Sequence, residues 1–126
     1  MRLLLDTAAF IWAMADPDRF SRRAAAALQD PDALLELSVV SLTEIAIKNT
    51  IGKLNIDKDQ ALSGLDDLKL RVLPYSTLHA WRLFELPAHH ADPFDRQIIA
   101  QALTEGIPVV TPDEKFRLYK GVKVIW

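Results

Sequence analysis

Leu3-Leu4-Leu5-Asp6-Thr7 is the stretch that decides the fold. Three successive leucines are apolar toward both sides of an extended chain. That suits a central strand of a parallel sheet covered by helices on each face, and does not suit a strand with one wet face. Asp6 follows it directly, where an unpaired buried charge is expensive. It either caps the next helix or holds a ligand.

Outward from this strand, Thr7 to Ala15 reads as a helix stopped by Asp16-Pro17, and Ser21 as the N-cap of an alanine-rich helix through Leu28 that Asp30-Pro31 ends. Leu35 to Val40 is the second expected strand. Ser41 is then placed to cap a helix from Leu42 to about Ile51, with Leu42, Ile45, Ala46 and Ile51 facing inward and Gly52 beyond the end. A helix over Asp57 to Leu68, a short strand over Leu70 to Leu73 and a helix over Thr77 to Phe84 come next. Pro87 to Asp92 reads as loop, Pro93 to Glu105 as helix with Gly106 just past it, and Pro108 to Thr111 as strand. A turn of helix over Asp113 to Tyr119 leads to a last strand, Val122 to Ile125. Strands alternating with helices predict a three-layer α/β/α domain with a central, mostly parallel sheet and right-handed crossovers. At 126 residues, without repeat or linker, the chain is expected to be one domain, 1–126.

Composition narrows the chemistry. Half the residues are hydrophobic and a quarter charged, as in ordinary globular proteins. The net charge of −2 does not announce a nucleic-acid binder, but binding depends on a local basic patch and not on the total. Cysteine is absent, which excludes disulfides, thiolate zinc sites and a cysteine nucleophile. His79, His89 and His90 are too few and too badly spaced for a histidine zinc site. The longest apolar run, Ala8 to Ala15, falls short of the roughly 18 residues that suggest a membrane span. Asp6 stands where a signal peptide carries positive charge, so the expectation is a cytoplasmic protein with no membrane partner.

Four acids recur in related positions. Asp6 ends the first strand, Glu44 lies one turn into the helix after the second, and Asp113 follows Val109-Val110-Thr111-Pro112. Asp95 heads a helix whose Ile98, Ile99, Ala102 and Leu103 fall at i+3, i+4, i+7 and i+8, so its carboxylate lies on the inward stripe. In open α/β sheets ligands bind beyond the carboxyl ends of the strands. Carboxylates gathered there suit a hard divalent cation. Each has a blander explanation: Asp6 as an N-cap, Glu44 paired with Lys48 at i+4, Asp95 favoured by the helix dipole, Asp113 as an early-turn acid. Asp92 before Pro93 reads as an N-cap with proline at N1.

Around these acids, Thr7 and Thr111 are candidates to hydrogen-bond the ligating carboxylates, or simply to cap. Lys48, Arg96 and the run Lys115, Arg117, Lys120, Lys123 either contact a polyanion or form a solvated face. His89 and His90 read as solvated loop residues, and Trp12, Trp81 and Trp126 as core or interface.

Taken together, Leu3-Leu4-Leu5-Asp6-Thr7, Ser41-Leu42-Thr43-Glu44-Ile45-Ala46-Ile47-Lys48 through Gly52-Lys53-Leu54, His90-Ala91-Asp92-Pro93-Phe94-Asp95-Arg96-Gln97-Ile98-Ile99-Ala100-Gln101-Ala102 and Val110-Thr111-Pro112-Asp113-Glu114-Lys115-Phe116 resemble the PIN-domain nucleases, and within them the VapC group of bacterial toxin ribonucleases. The resemblance implies a Mg²⁺- or Mn²⁺-dependent endoribonuclease, the toxin of a type II toxin–antitoxin pair. It implies an RNA substrate, a VapB-type antitoxin and a homodimer. Asp6, Glu44 and Asp95 match the group's three core acids and Asp113 its more variable fourth; Thr43 and Pro112 stand where relatives often carry an aromatic and a small residue. Two alternatives belong to other classes. A phospho-accepting receiver domain would need an acidic pair after the first strand and an acceptor aspartate ending a middle strand, and the chain has neither. A catalytically silent binding module would need a lost acid, and all four are present.

Overall fold

Leu3 and Leu5 point to one side of the sheet and Leu4 to the other, each almost wholly buried. In the computed structural model, which describes Met1 to Trp126, their strand β1 (Arg2–Leu5) is the middle of a five-stranded sheet. Its partners are β2 (Leu34–Ser38), β3 (Arg71–Leu73), β4 (Val109–Val110) and β5 (Val124–Ile125), in the order β3-β2-β1-β4-β5. Every pair is parallel, with Leu5 opposite Leu37 on one side and Val110 on the other.

The alternation of β1 carries through the sheet and divides the core. Leu3, Leu5, Leu37, Val110 and Ile125 pack with Ala9 and Phe10 of helix α1 (Thr7–Ala15), Ala24 of α2 (Arg22–Gln29) and Ile45 of α3 (Val39–Thr50). Leu65 of α4 (Lys58–Asp67) joins them at the edge. On the opposite face Leu4, Val109 and Val124 pack with Ile98, Ile99 and Ala102 of α6 (Pro93–Glu105), and with Phe116 and Tyr119. Helix α5 (Thr77–Leu83) lies against α6. A buried leucine contributes about 1.5–3 kcal/mol relative to an exposed one, so a strand apolar on both faces belongs at the centre.

One boundary differs from expectation. The second strand ends at Ser38, and Ser38 caps α3 by accepting from the Val40 amide at 3.0 Å. Val39 and Val40 are β-branched and read as strand, but the Ser38 hydroxyl offers the backbone a helix start instead. Ser41 therefore lies inside the helix, and the buried stripe is Val40, Ser41, Glu44 and Ile45. Ala46 is exposed and Ile51 is 59% exposed, contrary to the inward placement expected of them. Glu44 moves to the second turn and turns inward.

The far end of α6 closes on Gly106, whose φ of 67° is a left-handed conformation that an L side chain would strain. There Arg2 donates to Glu36 at 2.6 and 3.0 Å and to Glu105 at 3.1 Å, while His79 Nε2 lies 2.9 Å from Glu105. This network ties β1, β2, α5 and α6 at the end of the sheet away from Asp6. His79 holds the Glu105 carboxyl below its usual range.

Candidate active site

β1 pairs with β2 on one side and with β4 on the other, so the chain leaves the sheet in different directions at its middle. Such a switch point opens a crevice beyond the strand ends. Asp6 stands in it, 2% exposed. Its Oδ1 accepts from the Ala9 amide at 2.8 Å, capping α1, and its Oδ2 accepts from Thr111 Oγ1 at 2.6 Å. The cap and the site are the same carboxylate. Thr111, 1% exposed, also accepts from the Asp113 amide at 3.0 Å. Asp113 in turn caps the 3₁₀ turn Glu114–Leu118 through the Lys115 amide.

Glu44 reaches the same rim from α3. Its Oε2 accepts from Lys48 Nζ at 2.5 Å, and its Oε1 is buried with no partner. Asp95, in the first turn of α6, has a carboxylate that makes no hydrogen bond; His90 Nε2 is 3.6 Å from its Oδ2.

The electrostatics show that these groups share one field. Burial pushes the Asp6 carboxyl up to about 7, against the hydrogen bonds from Thr111 and Ala9, and Asp113 and Glu44 push the same way. Asp95 also stands at about 7, from burial first and then from the charges of Asp92, Asp6, Glu44 and Asp113. Lys48 is raised, by its bond to Glu44 above all and also by Asp92 and Asp95. One lysine does not offset this much negative charge.

No three acids or histidines stand close enough together to form a metal-holding group. The donor set nonetheless fits a hard cation. It is all oxygen, it carries uncompensated charge, and one of its oxygens, Glu44 Oε1, is buried and unpartnered.

The remaining candidates divide. Thr7 donates to Ser41 Oγ at 2.9 Å and not to a carboxylate. Arg96 turns to the preceding loop, donating to Pro87 O at 2.8 Å, Tyr119 Oη at 3.2 Å and Leu86 O at 3.4 Å. Lys115, Arg117, Lys120 and Lys123 are exposed. Asp92 accepts from the Phe94 and Asp95 amides at 2.9 and 3.0 Å, an N-cap. Asp92→Ala is expected to cost about 0.5–2 kcal/mol in a urea melt while leaving the rim carboxylates in place. A variant as stable as the wild type would deny the cap its role.

His90 is not the solvated residue that its polar loop suggests. Its side chain is 8% exposed, and Nδ1 lies 2.7 Å from the hydroxyl of the buried Tyr119. The only sequence signal was its place five residues before Asp95, in the segment that enters α6.

A family model described as PIN domain matches residues 3–122, a span that contains all four carboxylates. Comparison with curated proteins gives no match. Among solved structures, the chain is similar to VapBC2 from Rickettsia felis bound to a DNA fragment from its promoter. The identity is 20% over 98% of this chain and 97% of that one, with a TM-score of 0.75. It is similar to VapBC-1 from nontypeable Haemophilus influenzae at 18% identity, 98% and 96% coverage and a TM-score of 0.72. For VapBC-5 from Mycobacterium tuberculosis the values are 23%, 98%, 97% and 0.66. At such identities the likeness is one of fold.

Proposed function

The chain belongs to the PIN-domain family, and from that premise we propose that it is a metal-dependent endoribonuclease, the VapC-type toxin of a type II toxin–antitoxin pair. Nuclease chemistry is the general role of the family. What supports the proposal for this chain is that Asp6, Glu44, Asp95 and Asp113 lie within one another's field beside the β1–β4 switch point, with burial and neighbouring carboxylates holding Asp6 and Asp95 up at about 7.

Asp6 and Asp95 would hold a Mg²⁺ or Mn²⁺ ion, with Asp113 completing the set. Such an ion neutralises phosphate charge and makes water more acidic. The rest falls to side chains. Glu44 Oε1 is a free acceptor in a buried position, suited to orient the attacking water and take its proton. Lys48 holds the other Glu44 oxygen and adds positive charge at the rim for the RNA backbone. Thr111 fixes Asp6 and Asp113 relative to each other. The exposed Lys115, Arg117, Lys120 and Lys123 follow Asp113 in the chain and extend the phosphate-attracting surface. The costly placement of Asp6 and Asp95 favours this reading over a silent binding module.

The partners follow from the same proposal: RNA, a VapB-type antitoxin and a second copy of the chain. Exposed apolar side chains support them, with Ile47 and Ile51 at α3, Leu62 on α4, and Leu78, Trp81 and Phe84 at α5. No helix is long and apolar enough to cross a membrane, and a cytoplasmic site of action belongs to the proposal. The test is cleavage of total RNA by purified protein. Activity should require Mg²⁺ or Mn²⁺, vanish in excess chelator and return when metal is restored. Undiminished cleavage in chelator would overturn the proposal.

A further inference from the structure

Arg96, Tyr119 and His90 form a chain of side chains that ends against Asp95. Arg96 Nη1 lies 3.2 Å from the Tyr119 oxygen. A guanidinium only donates, so the Tyr119 oxygen accepts there, which leaves its own proton available for His90 Nδ1, 2.7 Å away. A neutral imidazole that accepts at Nδ1 carries its proton on Nε2. That Nε2 is buried and has no hydrogen-bond partner. It faces Asp95 Oδ2 at 3.6 Å, too far for a bond.

A buried imidazole N–H without a partner is costly to keep. Here it is aimed at a rim carboxylate that makes no hydrogen bond of its own. Arg96 is itself fixed by the carbonyls of Leu86 and Pro87, so the loop, the phenol and the imidazole are held as a unit.

We propose that His90 is a positioning residue for Asp95: its Nε2–H donates to the Asp95 carboxylate in the metal-loaded protein, and Tyr119, held by Arg96, locks the ring in the tautomer this requires. The assignment rests on Asp95 as a metal ligand. It follows the general pattern in which ligating carboxylates are themselves hydrogen-bonded by a supporting group.

Two measurements on the full chain test it. The first is ¹⁵N NMR of the imidazoles in metal-free protein, at a pH well above the ordinary histidine value of about 6.5. His90, assigned by its loss in His90→Gln, should show the Nε2–H tautomer alone, and Tyr119→Phe should make it a mixture. An Nδ1–H tautomer in the wild type overturns the proposal. The second is titration with Mn²⁺ alone, read by the paramagnetic resonance of the free ion. His90→Leu should bind about 10–100-fold more weakly. His90→Gln, whose amide N–H can replace Nε2–H, should keep most of the affinity, and Tyr119→Phe should fall between. If the wild type binds and the Leu and Gln variants bind equally, the His90 assignment falls while the metal site stands. If the wild type takes up no Mn²⁺, the metal site fails and the assignment fails with it.

Discussion

Asp95→Asn is expected to lower RNA cleavage by more than about 100-fold, beyond the loss typical of supporting residues around a metal, and at the same time to stabilise the metal-free protein. The second effect separates a ligand from a structural residue. The Asp95 carboxyl stands at about 7 in the folded chain, against an ordinary value of 3.8. Between those two pH values the folded state binds more protons than the unfolded one, so stability falls as pH rises through the window and levels off above about 7. Asparagine stays neutral and escapes that loss. The variant should match the wild type near pH 4 and exceed it above pH 7, by on the order of 1–3 kcal/mol. Urea melts in chelator across this range read it directly. A variant less stable than the wild type at neutral pH would show that Asp95 holds the fold together. Asp6→Asn shares the direction with a smaller gain, because the Asp6 carboxylate accepts real bonds from Ala9 and Thr111.

Thr111→Val should weaken both the fold and the activity. Valine fills nearly the same space, so packing is kept and only the hydroxyl is lost. That hydroxyl donates at 2.6 Å to Asp6 and accepts at 3.0 Å from the Asp113 amide, in a place 1% exposed. Bonds to charged groups contribute about 1.5–3 kcal/mol and a buried orphan costs about 1–3. The expected loss is about 2–4 kcal/mol in a urea melt at neutral pH, with cleavage down about 10–100-fold. Because the Thr111 bond lowers the Asp6 carboxyl, its removal should also raise that group further. Thr111→Ser, which keeps the hydroxyl, should recover most of both losses. Equal behaviour of the Val and Ser variants would mean that methyl packing, and not the bond to Asp6, is what Thr111 provides.

The parts of the fold legible in the sequence are those where pattern and punctuation agree. Leu3 to Leu5 is apolar on both faces and is the central strand; Pro93 and Gly106 bracket α6 at its first residue and just past its last. The β2–α3 boundary was not legible, since Val39-Val40 favours a strand by propensity while Ser38 starts the helix by a hydrogen bond. β4 and β5 came out shorter than their apolar runs, because a run does not stop where ladder pairing stops. The site divides in the same manner. The acids could be placed because strand ends and the helix stripe are local features. His90 could not, because its burial depends on Tyr119, far along the chain, and on Arg96 folding the loop back.

The bond from Thr111 to Asp6 spans 105 residues. β1 leaves a ribosome long before β4, which completes its pairing and leads directly into Thr111. Until β4 emerges, the growing chain therefore displays Asp6 and Glu44 without the segment that fixes one and the turn that supplies Asp113. Such distant pairing also slows folding relative to local contacts. On the proposed function, the four acids could act together only after Val109 to Asp113 had cleared the exit tunnel and docked.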